Sequence, residues 1–121
     1  LIVPAFGLTD KIIITIRQIF AQFPVVEKAI LYGSRAKGNY KHGSDIDLTL
    51  VGDMLDIKTL GSIADRLDES PIPYQVDLSI FDHLKHDGLR EHIERVGVVF
   101  YERNTDSRGD ADGAKKNGME E

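Results

Sequence analysis

Apolar residues in the first part of the chain recur at the spacing of one helical face: Ile12, Ile16, Ile19, Phe20 and Phe23. Side chains three and four apart share one side of an α-helix, so the run predicts a helix over about Asp10–Phe23, capped by Thr9 and ended by Pro24. Val26 to Tyr32 is a short apolar stretch that enters a Gly/Ser/Lys loop, and Asp45 to Val51 alternates acidic and apolar positions in the manner of a strand. Asp56 to Glu69 places Ile57, Leu60, Ala64 and Leu67 on one helical face. The Ser70–Pro73 segment breaks that helix before a third strand over about Tyr74–Phe81. Leu89, Ile93 and Val96 mark another helix, and Gly97 precedes a terminal apolar run, Val98 to Tyr101. The order is α-β-β-α-β-α-β. Two neighbouring strands joined only by a loop argue for an α/β (α+β) fold with a small mixed sheet and helices packed on it, not a regular doubly wound array.

From Asn104 onward large apolar residues give way to small polar and charged ones, Met119 excepted. The organisation expected is one globular domain over residues 1–103 and a disordered polar tail over 104–121. A length of 121 residues, 41% hydrophobic and 29% charged, suits a single modest core. No run of about 18 apolar residues is present, and the apolar start lacks the basic segment of a secretory signal, so a soluble cytoplasmic protein without membrane contact is expected. The absence of cysteine excludes disulfides, thiol nucleophiles and cysteine zinc sites. With 15 basic and 20 acidic residues the net charge is -5, which argues against stable direct binding of nucleic acid but leaves room for a small anionic substrate.

The informative segment is Gly33–Leu48, GSRAKGNYKHGSDIDL, in which a Gly-Ser pair follows a strand and Asp-x-Asp opens the next. Residues i and i+2 of a strand point to one side, so Asp45 and Asp47 share a face while Ile46, Leu48 and Leu50 line the other. Asp77 repeats the pattern in the third strand, with Ser79 on the polar side and Val76, Leu78 and Ile80 on the apolar one. Carboxylates about 6 Å apart at an effective dielectric of about 20 repel by roughly 3 kcal/mol, so the cluster should raise a pKa or recruit cations. An oxygen-only set on rigid strands suits Mg²⁺ or Mn²⁺, and two such ions would stabilise the attacking and leaving oxygens of a phosphoryl displacement. Gly33 allows close backbone approach to a phosphate, Ser34 offers a hydroxyl and an amide at the start of a helical turn, and Arg35 leads Lys37 and Lys41 as a phosphate contact. The loop is neither a Walker A motif nor a G-x-G-x-x-G turn.

An Asp-x-Asp by itself is ordinarily a solvated strand edge. Coupled to Gly33–Ser34 at this spacing, it resembles the nucleotidyltransferase superfamily that includes DNA polymerase beta. The run GSRAKG, SDIDL, VDL and GVVFYER in so short a chain is similar to the minimal nucleotidyltransferases, the antitoxin halves of HEPN/MNT toxin–antitoxin pairs, over about Leu8–Arg103. The resemblance implies the polymerase beta-like palm fold. It implies that Gly33 and Ser34 contact nucleotide phosphates, and that Asp45, Asp47 and Asp77 hold two Mg²⁺ ions and carry catalysis. It further implies transfer of AMP from ATP to a tyrosine of a partner HEPN ribonuclease, in a hetero-oligomer, which silences the toxin. The alternatives are an antitoxin that blocks its toxin by stoichiometric binding and an enzyme acting on a small molecule such as an aminoglycoside. His42, His83, His86 and His92 are read as surface histidines, since no acidic or cysteine set completes a zinc site. Tyr32, Tyr40, Tyr74 and Tyr101 are read as packing or surface residues, and no Ser-His-Asp arrangement supports Ser34 as a nucleophile.

Overall fold

A computed structural model describes residues 5–103; the tail expected over 104–121 lies outside the described residues. After a 3₁₀ turn at Ala5–Gly7 come α1 (Asp10–Ala21), β1 (Lys28–Tyr32), the one-turn α2 (Ser34–Lys37), β2 (Ile46–Val51) and α3 (Ile57–Glu69). β3 (Val76–Ile80), a 3₁₀ turn at Phe81–His83, α4 (Asp87–Val96) and β4 (Val98–Glu102) complete the order. The strands form one four-stranded sheet in the order β3-β2-β1-β4. β1 runs antiparallel to β2 and β4, whereas β2 and β3 are parallel and joined through α3. The sheet is therefore mixed, and the fold is a small α/β arrangement with helices packed on the sheet.

One sheet face makes the core. Ala29 and Leu31 of β1, Ile46, Leu48 and Leu50 of β2 and Ile80 of β3 pack against Ile13, Ile16, Ile19 and Phe20 of α1 and Ile63 and Leu67 of α3. The strand period of two sends Tyr32, Asp47, Thr49, Asp77 and Ser79 to the opposite face. α4 packs there on β1, with Ile93 buried and Gly97 so close to Ile30 and to the end of α4 that a Cβ would collide. Thr9 and Asp56 cap α1 and α3, accepting from the amides of Ile12 at 3.2 Å and Thr59 at 2.8 Å. α1 stops at Ala21, two residues short of the expected end, because Phe23 precedes Pro24 and a pre-proline residue is driven out of the helical region. Ile57, expected on the inner face of α3, is 65% exposed at the first helical position, and Ile63 fills the core in its place. No helix among the described residues is long and apolar enough to cross a membrane.

Candidate active site

The polar face carries its acids at one end of the sheet. Tyr32 and Asp47 are cross-strand partners in the β1–β2 ladder, and Asp47 and Asp77 are partners in the β2–β3 ladder, so the three form a row across the sheet. One row further in, Ile30, Thr49 and Ser79 are aligned, and the Ser79 hydroxyl donates to Oγ1 of the fully buried Thr49 at 2.9 Å. Asp77 stands exposed on the edge strand. Asp45 is also exposed and lies one residue before β2 begins, so the ladder does not include it.

Gly33 joins the Gly-Ser turn to the carboxylates. Its φ of 77° lies in the left-handed region, and a Cβ there would run into the carboxylate of Asp47. Only glycine lets the backbone pass this close. Ser34 then opens α2, whose first-turn amides have no intrahelical acceptor, and Gly38 closes it in the left-handed conformation. Asp47 is pushed up to about 6, first by partial burial, then by the charge of Asp77 and a hydrogen bond with it, and last by the charge of Asp45. A bound cation would relieve the same repulsion that raises the Asp47 carboxyl. Burial raises the Tyr32 phenol above its ordinary range, opposed by a hydrogen bond with Ser79 and reinforced by Asp47 and Asp77.

These donors fit a hard divalent ion by chemistry: two register-paired carboxylates whose repulsion calls for a positive charge, a third acid next to them, and oxygen as the only ligand atom. They are not drawn together in advance. Among the described residues no three acidic or histidine side chains converge as a metal cluster. His42, His83 and His86 are exposed, and His86 caps α4 by accepting from the Leu89 amide at 3.1 Å.

Arg35 does not sit where a phosphate contact would. It is 3% exposed, its Nε and Nη2 donate to the Ser44 carbonyl at 3.0 and 2.7 Å, and its Nη1 donates to the Phe6 carbonyl at 2.9 Å. The rings of Tyr74 and Tyr40 lie 4.6 and 5.3 Å from the guanidinium carbon. These partners turn the side chain inward, with its donors on backbone carbonyls. Lys37 and Lys41 remain exposed on the loop. The sequence also offers Tyr32 and Thr49 as neighbours of the acids, since they alternate with the core-facing Leu31, Leu48 and Leu50.

The family described as Polymerase beta, Nucleotidyltransferase matches residues 15–106. Probable protein adenylyltransferase MntA of Haemophilus influenzae is 36% identical over 73 residues, 60% of this chain and 63% of that protein, so the match spans less than two thirds of the relative. A toxin–antitoxin crystallised with AMP-PNP superposes with a TM-score of 0.61 at 23% identity, over 81% of this chain and 77% of that one. A mutant MntA-HpeT toxin–antitoxin superposes with a TM-score of 0.57 at 25% identity, over 76% of this chain and 71% of that one.

Proposed function

Because the chain belongs to the polymerase beta nucleotidyltransferase family, we propose that it is a Mg²⁺-dependent protein adenylyltransferase that acts as an antitoxin in the cytoplasm. It transfers AMP from ATP to a tyrosine hydroxyl of a partner HEPN ribonuclease and so silences it. The observation that carries this reading is the contact of Gly33 with Asp47 while Asp47 pairs with Asp77, which sets a phosphate-approach turn against paired carboxylates. The likeness to MntA and to toxin–antitoxin assemblies supports the choice of a protein acceptor.

Asp45, Asp47 and Asp77 would hold the metal, which when bound supplies positive charge to the attacking and leaving oxygens. Gly33 brings its backbone near the triphosphate, and Ser34 hydrogen-bonds the phosphate oxygens. The incoming phenol forms a bond from its oxygen to the α-phosphorus, the bond from that phosphorus to the bridging oxygen breaks, and pyrophosphate leaves. Asp77 would take the phenol proton, a role that its exposure on the edge strand supports.

The test is the intact mass of the co-purified ribonuclease after incubation with this protein, ATP and Mg²⁺. A rise by whole adenylyl groups, absent with Asp47→Asn, is expected. The lack of a converged three-acid cluster among the described residues favours one alternative, stoichiometric occlusion. Unmodified toxin neutralised at equimolar protein, equally by Asp47→Asn, would establish it and refute the transferase.

A further inference from the structure

Asp45 is the one acid of the three that the sheet does not fix. β2 begins at Ile46, whose amide donates to the Gln75 carbonyl at 2.8 Å, so the chain is pinned on one side of Asp45 by the ladder. On the other side lies the Ser44 carbonyl, held twice by Arg35. The turn Lys41–Ser44 is closed by the Ser44 amide on the Lys41 carbonyl at 3.0 Å and by the Lys41 amide on the Ser44 hydroxyl at 2.8 Å, so it moves as a unit. Arg35 is the bolt between that unit and the body of the domain.

We propose that Arg35 is a positioning residue for nucleotidyl transfer, setting from beneath the loop where Asp45 stands relative to the Asp47–Asp77 pair. This rests on the nucleotidyltransferase reading of the same acids. A buried cation is costly unless its donors are met, and among the described residues Arg35 has no carboxylate within ion-pair distance. Its charge is met instead by carbonyls of two distant segments and by two aromatic faces. One of those faces, Tyr74, is the residue before Gln75 at the entrance to β3, so the same guanidinium ties the start of the Asp77 strand to the turn that leads through Asp45 into β2. A planar fork with five donors bonds two carbonyls and stacks at once; an ammonium cannot do all three. Groups that orient a metal ligand in this way govern affinity without touching the ion.

The test uses the full chain with Mn²⁺ and a non-hydrolysable ATP analogue, reading free Mn²⁺ by electron paramagnetic resonance, for Arg35→Lys, Asp45→Ala and the double variant. Arg35→Lys is expected to weaken Mn²⁺ binding about tenfold. The double variant is expected to bind no worse than Asp45→Ala, because Arg35 acts through Asp45. Losses that multiply in the double variant, or parental binding by Arg35→Lys, would overturn the positioning role alone. Parental binding by Asp45→Ala would overturn the transferase reading and this one with it. If Arg35→Lys shows no cooperative melt, Tyr74→Leu, which removes one ring and leaves every hydrogen bond of Arg35, enters the same cycle with the same criterion.

Discussion

Replacing Asp47 with asparagine is expected to stabilise the fold at neutral pH while it abolishes transfer. Asp47 is pushed up to about 6, against 3.8 for an ordinary aspartate, by burial and then by Asp77. Between about pH 4 and pH 6 the folded state therefore binds more protons than the unfolded chain, so stability falls as pH rises through that window and levels off above it. The gap corresponds to about 3 kcal/mol before screening. Asp47 is only half-buried, and solvent screening reduces this to about 1 kcal/mol. Asparagine keeps the shape and hydrogen-bonds Asp77 without a charge, so it should recover about 1 kcal/mol at pH 7.5, or about 4–8 °C in Tm for a domain of this size. At pH 4 both proteins carry a neutral group and should melt together. Urea and thermal melts of parent and variant, in chelator, at both pH values measure this. A less stable variant at pH 7.5, or a difference that does not change with pH, would refute the argument that the site is held against its own repulsion.

Gly33→Ala should cost roughly 1–2 kcal/mol from the left-handed backbone alone, and calorimetry with Mg²⁺ and the ATP analogue should show nucleotide binding lost as the new methyl displaces Asp47. Asp56→Ala should lower Tm at pH 7, because the Thr59 amide holds the cap carboxyl below its usual range. That contribution is present above pH 4 and fades as pH falls through the lower folded value, so melts of the two proteins should converge in strong acid. Transfer should stop in chelator and return with Mg²⁺ or Mn²⁺, and residual transfer after exhaustive chelation, read by label incorporation, would remove the metal from the account.

Periodicity made the sheet and its helices legible, since Ile46, Leu48 and Leu50 alternate with Asp47 and Thr49 and only one face of β2 could be the core. The pairing of Asp47 with Asp77 was readable as a shared face, but their register is set by β2 and β3 lying side by side, which no local pattern encodes. Local spacing misled where a helix end was involved: Ile57 has the right phase but sits at the first position of α3, beyond the edge of the sheet's cover. Arg35 is the clearest case of information carried at long range. Its loop reads as a basic phosphate grip, yet its partners Phe6, Ser44 and Tyr74 come from three separate segments, and their convergence turns it inward. Alternation makes Asp45 the first residue of a strand, yet it lies just outside β2, because the first hydrogen bond toward β3 is made by Ile46.

The most direct test of the central claim is transfer of label from each of the four α-phosphate-labelled nucleoside triphosphates, with Mg²⁺, into the proposed HEPN partner, co-expressed with this chain. The parent is compared with Asp45→Ala and Asp47→Ala. Covalent label on a partner tyrosine, from ATP and only with the acids intact, is the predicted result. Label that persists in both acid variants, or a tight and neutralising complex that never takes up label, would contradict the account.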